Sequence, residues 1–339
     1  MTTRLNEIKN WLSSLEPKIN LDSLQYLQSD ASSRNYLRCD SDLTSLIVMD
    51  TKPGEEMTRF SQVAKLLAAH KLTVPKIIAS DLERGLLLLS DLGSRTYLQV
   101  LKQADPATVD RLYLEAITSI VKMQSIPSAN EHYTLPIMDA TYISNRLEIF
   151  KTWYLQRHLN LEIDHKTNSM LAKLQILFAT AFEEYPLLFT HVDYHSRNLM
   201  LVASGNPGIL DFQDAMLGPA TYDLVSLFQD AYITYPRPMV ESWLETYKDI
   251  AITAGVLQPL PTSALLRNFA LVGLQRHIKN LGIFARLHYR DQKSNYLNDM
   301  PMLINYITDT CSRYEDLSWL LDFMKVWWVW NNPTEVNCA

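Results

Sequence analysis

Apolar positions change their period near residue 93. In the first segment Leu5, Ile8, Leu12 and Leu15 recur at three- and four-residue spacing, which predicts a helix closed by Pro17. Stretches of strand character follow at Leu24 to Leu27, Asn35 to Cys39 and Ser45 to Met49. The first two are joined by a small polar turn, Ser29-Asp30-Ala31-Ser32-Ser33-Arg34. A helix is predicted from about Glu55 to His70, with Met57, Phe60, Ala64 and Leu67 on its inner face. Pro75 introduces two more strands, Lys76 to Ala79 and Gly85 to Leu89. Residues 20–90 thus read β-β-β-α-β-β, a mostly antiparallel sheet with one helix.

Beyond Leu92-Gly93 the pattern is helical. Asp105-Pro106 supplies an N-cap residue followed by proline at the first helical position. From there to residue 186 apolar residues keep helical spacing, as at Leu112, Ala116, Ile120 and Met123. An insert of strand and loop spans 187–214, and the helical pattern resumes from about Thr221 to Phe323. The expected fold class is α+β in two lobes: a small antiparallel-sheet N-lobe over residues 1–92 and a larger, mainly helical C-lobe over 93–339, with the hairpin of 187–214 embedded where the lobes meet.

Composition narrows the function classes. A chain of 339 residues with 47% apolar and 20% charged residues can build a sizeable core. Its formal charge of −6 argues against a nucleic-acid partner, which would require surplus Lys and Arg. The longest apolar run is strand-sized, so no membrane partner is expected. Three scattered cysteines and an N-terminus without a long apolar run point to the cytoplasm. Only nine glycines are present, so a phosphate-cradling loop here is built largely without them.

The chemistry is concentrated in the insert, which reads Phe189-Thr-His191-Val-Asp193-Tyr-His195-Ser-Arg197-Asn198-Leu-Met-Leu and then Gly208-Ile-Leu-Asp211-Phe-Gln-Asp214. Phosphoryl transfer needs one carboxylate to orient the attacking hydroxyl, and an Asn plus an Asp to hold Mg²⁺ against the phosphates. The order and spacing match the kinase catalytic loop H-x-D-x-x-x-x-N, and Asp211-Phe212 matches the start of D-F-G, with Gln213 in place of the glycine. With His195 and Asp214, the segment resembles the aminoglycoside phosphotransferase and choline kinase group. That resemblance implies a protein-kinase-like fold, ATP and Mg²⁺ as cofactors, Asp193 as catalytic base, and Asn198 and Asp211 as metal ligands. It gives His191 and His195 the task of organising the loop. Gly218-Pro-Ala-Thr-Tyr222-Asp223 resembles the group's next segment, in which the aspartate opens a helix and braces the loop, so Asp223 is read as structural.

On the nucleotide side, Leu86 to Gly93 looks like the last sheet strand and the linker, with Ser90 and Leu92 as backbone contacts to adenine. The turn holding Ser32, Ser33 and Arg34 would lie over the phosphates. The strand lysine that usually pairs with the α- and β-phosphates is missing, because Met49 stands at its position. Either Lys52, just beyond the strand, reaches in, or magnesium and loop groups compensate, or activity is weak; Glu55 and Glu56 are the candidates for the matching helix glutamate.

Asp30 to Tyr36, Val48 to Asp50, Asp211 to Ala215 and Gly273 to Arg286 together resemble one subgroup, the anomeric kinases of N-acetylmuramate and N-acetylglucosamine used in bacterial cell-wall recycling. That subgroup also lacks the strand lysine. The resemblance implies an amino-sugar substrate, with Arg197, Asp214, Arg276 and Lys279 as substrate-binding candidates and a cation for the lactyl carboxylate of the muramate. For Arg276 and Lys279 the competing reading is a solvated helix face. Trp327-Trp328-Val-Trp330 is read as core rather than as a sugar platform. Rival functions are transfer to an aminoglycoside, choline or another small alcohol, and a pseudokinase binding module without turnover.

Overall fold

The computed structural model of the chain describes residues 2–16, 18–27, 34–128 and 133–331, the side chains of residue 2 and of 326–331 excepted. Pro17, the turn residues Asp30 to Ser33, and the side chains of Trp327, Trp328 and Trp330 therefore lie outside the described residues.

The chain divides into two compact units, one formed by residues 1–123, 129–134 and 197–215, the other by 124–128, 135–196 and 216–339. In the first unit the order is α1 (Thr2–Ser13), β1 (Ile19–Leu27), β2 (Asn35–Ser41), β3 (Ser45–Asp50), α2 (Glu55–Ala69), β4 (Ile77–Asp81) and β5 (Leu86–Ser90). Five antiparallel strands form one sheet in the order β1-β2-β3-β5-β4. Side chains alternate across a strand. Leu37 and Cys39 of β2, Leu46 and Val48 of β3, and Leu86 and Leu88 of β5 join one buried cluster with Ile8, Trp11 and Leu12 of α1. The expected helical face of α1 thus covers one side of the sheet. Arg4 fixes the helix by donating through Nε to Asp50 at 3.1 Å.

Tyr36 and Met49 are directly opposed in the β2–β3 ladder and, by the same alternation, belong to the other face. Met57, Phe60, Val63, Ala64 and Leu67 of α2 are buried, as the three- and four-residue spacing requires. The first unit extends past residue 92 to take in α3 (Tyr97–Leu101), most of α4 (Pro106–Gln124) and the two-stranded ladder of β7 (Leu199–Met200) with β8 (Gly208–Ile209).

The second unit is helical around a two-stranded ladder, β6 (Leu187–Thr190) paired with β9 (Met216–Pro219). Its helices are α5 (Ala140–Ile149), α6 (His165–Glu183), α7 (Tyr222–Phe228), α8 (Arg237–Thr253), α9 (Thr262–Tyr289), α10 (Met300–Arg313) and α11 (Ser318–Asn331). A π-helical segment, Phe150–His158, continues α5. Gly282 of α9 lies so close to it that an added Cβ would stand 2.6 Å from the Phe150 Cα, so the crossing requires glycine. No helix among the described residues is long and apolar enough to cross a membrane.

Candidate active site

In the second unit the loop after β6 is shaped by a carboxylate from the start of α7. Asp223, 1% exposed, accepts the backbone N–H of His191 at 2.7 Å and of Val192 at 3.0 Å. Ser226 Oγ donates to the Val192 carbonyl at 3.1 Å. These bonds hold Val192 at φ 81°, a backbone region that a β-branched residue seldom enters, and strain of this kind collects at functional loops. Burial pushes the Asp223 carboxyl up to about 6, against the lowering influence of His191 and the two N–H groups. His191 is fully buried with its ring edge-on to Tyr194. The ring of His195 stands edge-on to Tyr232, and burial lowers its pKa. Ser196 adds a tie that its sequence context did not suggest: its N–H donates to the buried Asp230 at 3.1 Å.

Asp193, two residues past His191, keeps its side chain 42% exposed beside two cations of α9. Arg276 Nη2 lies 3.8 Å from its carboxylate. Burial alone would raise the Asp193 pKa, but Lys279 and then Arg276 outweigh it, and the carboxyl stays below its ordinary range. The competing reading of a solvated face does not hold for these two side chains. Arg276 is 3% and Lys279 4% exposed. Lys279 Nζ donates to the Tyr222 hydroxyl at 3.2 Å, and that hydroxyl meets the Tyr142 hydroxyl at 3.2 Å. Arg146 of α5 stacks on the Tyr142 ring at 4.8 Å. Burial brings the Lys279 ammonium down to about 7, with Asp193 opposing that fall and Arg276 and Arg146 adding to it.

In the first unit the β7–β8 ladder joins the candidate metal ligands. Leu210 N–H donates to the Asn198 carbonyl at 2.9 Å, which sets Asn198 and Asp211 at adjacent ends of the two strands. Asp211 sits at φ 60°. Its Oδ1 accepts from Gln213 Nε2 at 2.9 Å and from Arg34 Nη1 at 3.2 Å. Phe212 is fully buried against Phe60 of α2, ring centroids 4.9 Å apart. Asp211 and Asn198 offer hard oxygen donors of the kind Mg²⁺ takes alongside phosphates, so their chemistry fits that ion. Asp214 is more exposed and lies 3.9 Å from Arg59. Arg197 is half-buried at the start of this segment.

Arg34 immediately precedes β2 and is buried. Besides Asp211 it holds Glu56 of α2, with Nε donating at 2.9 Å. Of the two helix glutamates considered, Glu56 has this partner and Glu55 pairs with Arg59. Lys52 is exposed at the end of its strand. Ser90 is bonded into the sheet edge, its N–H to the Lys76 carbonyl and its Oγ accepting from Lys76 N–H, both at 2.9 Å. Leu92 is half-buried near Gly208. Ser32 and Ser33 lie outside the described residues.

A family model for the phosphotransferase enzyme family matches residues 23–259. The chain belongs to that family. N-acetylmuramate/N-acetylglucosamine kinase of Pseudomonas aeruginosa is 39% identical over 325 residues, covering 93% of this chain and 94% of that protein. The protein of the same name from Pseudomonas putida is 40% identical, covering 87% and 86%. Among solved structures, choline kinase from Cryptosporidium parvum matches with a TM-score of 0.65 at 12% identity, covering 94% of this chain and 97% of that one. ADP-bound aminoglycoside phosphotransferase APH(2'')-Ib matches at 0.63 and 15% identity, covering 91% and 99%. The fold is therefore kinase-like, as the catalytic-loop spacing implied, and the enzyme is a phosphotransferase.

Proposed function

We propose that the enzyme transfers the γ-phosphoryl group of ATP to the anomeric hydroxyl of N-acetylmuramate and N-acetylglucosamine, giving the sugar 1-phosphate and ADP. The observation that carries this reading is the ionised, half-exposed Asp193 beside two buried cations. The curated relatives with matching names and near-complete coverage support the choice of sugar.

Asp193 accepts the hydrogen bond of the sugar hydroxyl and aims its oxygen at the γ-phosphorus. With its pKa held down it is a weak base, which suits a loose transition state in which the proton leaves late. As the new O–P bond forms, the bond to the β-phosphate oxygen breaks and the proton passes to Asp193. Asn198 and Asp211 would hold Mg²⁺, which when bound neutralises phosphate charge. Asp193 and Asn198 keep the five-residue separation of the kinase catalytic loop. The linker backbone around Ser90 and Leu92 is assigned to adenine, with Ser32, Ser33 and Arg34 on the phosphate side. Asp223 braces the loop through Val192, with His191 and His195 packed inside it.

The cations also select the acceptor. Arg276 Nε is buried with no hydrogen-bond partner among the described residues, and Lys279 lies one helical turn along. A lactyl carboxylate would pair with them, whereas a polycationic aminoglycoside would be repelled. Arg197 and Asp214 are further candidates for sugar hydroxyls. Cytoplasmic ATP supplies the donor, and the buried thiols Cys39 and Cys311 suit a reducing compartment.

The test is ³¹P NMR with ATP and Mg²⁺, offering N-acetylmuramate, N-acetylglucosamine and kanamycin separately, with Asp193→Asn as control. A sugar 1-phosphate resonance from the first two, absent in the variant, is expected. Signal from kanamycin alone would overturn the sugar assignment, and nucleotide binding without turnover of any acceptor would favour a binding module.

A further inference from the structure

The first unit holds an arginine where its strand lysine is missing. The position that would carry lysine is Met49, which is 1% exposed, and its cross-strand partner is Tyr36. Arg34 lies two residues before Tyr36, so it is the diagonal neighbour of Met49 and belongs to the same face of the sheet by the two-residue alternation. The opposite face is filled by α1, so a side chain on this face can reach α2 and the Asp211 segment. Arg34 does both. Its guanidinium binds Glu56 on α2 and donates to Asp211 at 3.2 Å and to the Tyr36 hydroxyl at 3.4 Å.

The exposures of these groups differ in an informative way. Arg34 is 6% exposed, while the carboxylates of Glu56 and Asp211 are 48% and 45% exposed. A guanidinium that served only to neutralise two acids could do so at the surface. Here the cation is buried and fixed from one side, and its other end points at a carboxylate that phosphoryl transfer assigns to the metal. Arginine suits this double duty, because its planar fork can hold a carboxylate with one edge and present remaining N–H groups to a second anion.

We infer that Arg34 takes the place of the missing strand lysine as the cation that binds the nucleotide's diphosphate, with Glu56 as the positioning residue that holds its guanidinium. The same guanidinium meets Asp211 at 3.2 Å, so the diphosphate and the candidate metal ligand would share one cation. Lys52, exposed beyond β3, has no part in it. This inference rests on the enzyme being an ATP-dependent phosphotransferase and goes beyond it by naming the group that reads the diphosphate.

Nucleotide affinity tests it without turnover. Binding of ADP, with and without Mg²⁺, and of adenosine is measured by calorimetry for wild type, Arg34→Lys, Arg34→Gln, Glu56→Gln and Lys52→Ala, with far-UV circular dichroism and urea midpoints for folding. Losing charge-assisted bonds to phosphate weakens ADP roughly ten- to a hundredfold in Arg34→Gln, with adenosine unchanged. Arg34→Lys falls between, since it keeps the charge but cannot hold both anions. Glu56→Gln raises KM for ATP and leaves KM for the sugar unchanged, with a lowered urea midpoint because the buried Arg34 loses a carboxylate, and Lys52→Ala matches wild type. Equal weakening of adenosine and ADP, or unchanged ADP affinity in folded Arg34→Gln, overturns the inference while leaving the phosphotransferase reading intact. If Arg34→Gln does not fold, Arg34→Lys and Glu56→Gln decide it by the same ADP-to-adenosine comparison. Wild type that binds no nucleotide overturns both.

Discussion

Replacing Lys279 by methionine separates the folding role of the buried cation from its binding role. Lys279 is 4% exposed, and the charged or titratable groups facing it are Asp193 from the catalytic loop, Arg276 on its own helix, Arg146 and Tyr142 on α5, and Tyr222 on α7. Burial takes its ammonium from the ordinary 10.5 to about 7. Between those values the folded chain carries fewer protons than the unfolded chain, so stability rises with pH across that window. At pH 7 the penalty for the displaced pKa is about 4 kcal/mol, and at pH 9 about 2 kcal/mol, counting about 1.4 kcal/mol for each tenfold step. Methionine has similar volume and no charge, and such replacements of buried charge are commonly neutral or stabilising. The expected outcome is a variant more stable than wild type at pH 7, with the gap narrowing by about 2 kcal/mol at pH 9 in urea titrations. In steady-state kinetics KM for N-acetylmuramate rises while that for N-acetylglucosamine stays near wild type. In wild type the preference for the carboxylate-bearing sugar falls as pH rises through about 7, where Lys279 loses its proton. A stability gap that does not move with pH would refute the assignment of a displaced, buried ammonium. Equal loss on both sugars would refute the carboxylate role.

Asp223→Ala leaves two buried backbone N–H groups without their carboxylate and releases Val192 from its left-handed conformation. A loss of about 3–5 kcal/mol is expected, read by urea midpoint, together with a fall in kcat at temperatures where the variant stays folded. Gly282→Ala places a methyl group against the Phe150 backbone, which cannot swing aside as a side chain would, and a loss of about 3 kcal/mol is expected in thermal unfolding. Asp193→Asn is expected to lower kcat roughly 10²- to 10⁴-fold while ADP affinity, measured by calorimetry, changes little.

The fold was legible where a local period encodes burial. Leu37 and Cys39, Leu46 and Val48, and Leu86 and Leu88 alternate as half-buried strands must, and each pair lies in the cluster under α1. Met57, Phe60, Ala64 and Leu67 likewise fell on the buried side of α2. Candidate ligands were legible for a different reason: phosphoryl transfer fixes residue types at set separations along one loop, and His191, Asp193, Asn198 and Asp211 obey them. What could not be read were pairings set by register. Nothing near Arg34 in the sequence points to Glu56 or Asp211, since the approach depends on Tyr36 facing Met49 across β2 and β3. Ser196 and Asp230 met for the same reason, through tertiary packing. The π-helical segment from Phe150 to His158 has no periodic signature, and its close contact with Gly282 makes sense of one of the few glycines only afterwards.

Helix α9 carries the widest gap between pattern and outcome, and the gap has a physical meaning. Gln275, Arg276, His277, Lys279 and Asn280 are all buried, a sequence that local rules assign to a wet face. The two ring-facing polar groups find partners inside the unit, His277 Nε2 with Gln229 at 2.9 Å and Lys279 with Tyr222. The charges do not balance in the same way. Among the described residues Arg276, Lys279 and the nearby Arg146 are set against two carboxylates, the half-exposed Asp193 and the buried Asp223, which Arg276 also influences. Burying an excess of one sign lowers stability unless something of the other sign arrives. A fold under selection for stability alone would have placed leucine or methionine at residue 279. Retaining the ammonium, with its proton held loosely near neutrality, makes sense if an anionic acceptor completes the cluster, and the same excess charge keeps Asp193 ionised and ready to receive the hydroxyl of that acceptor.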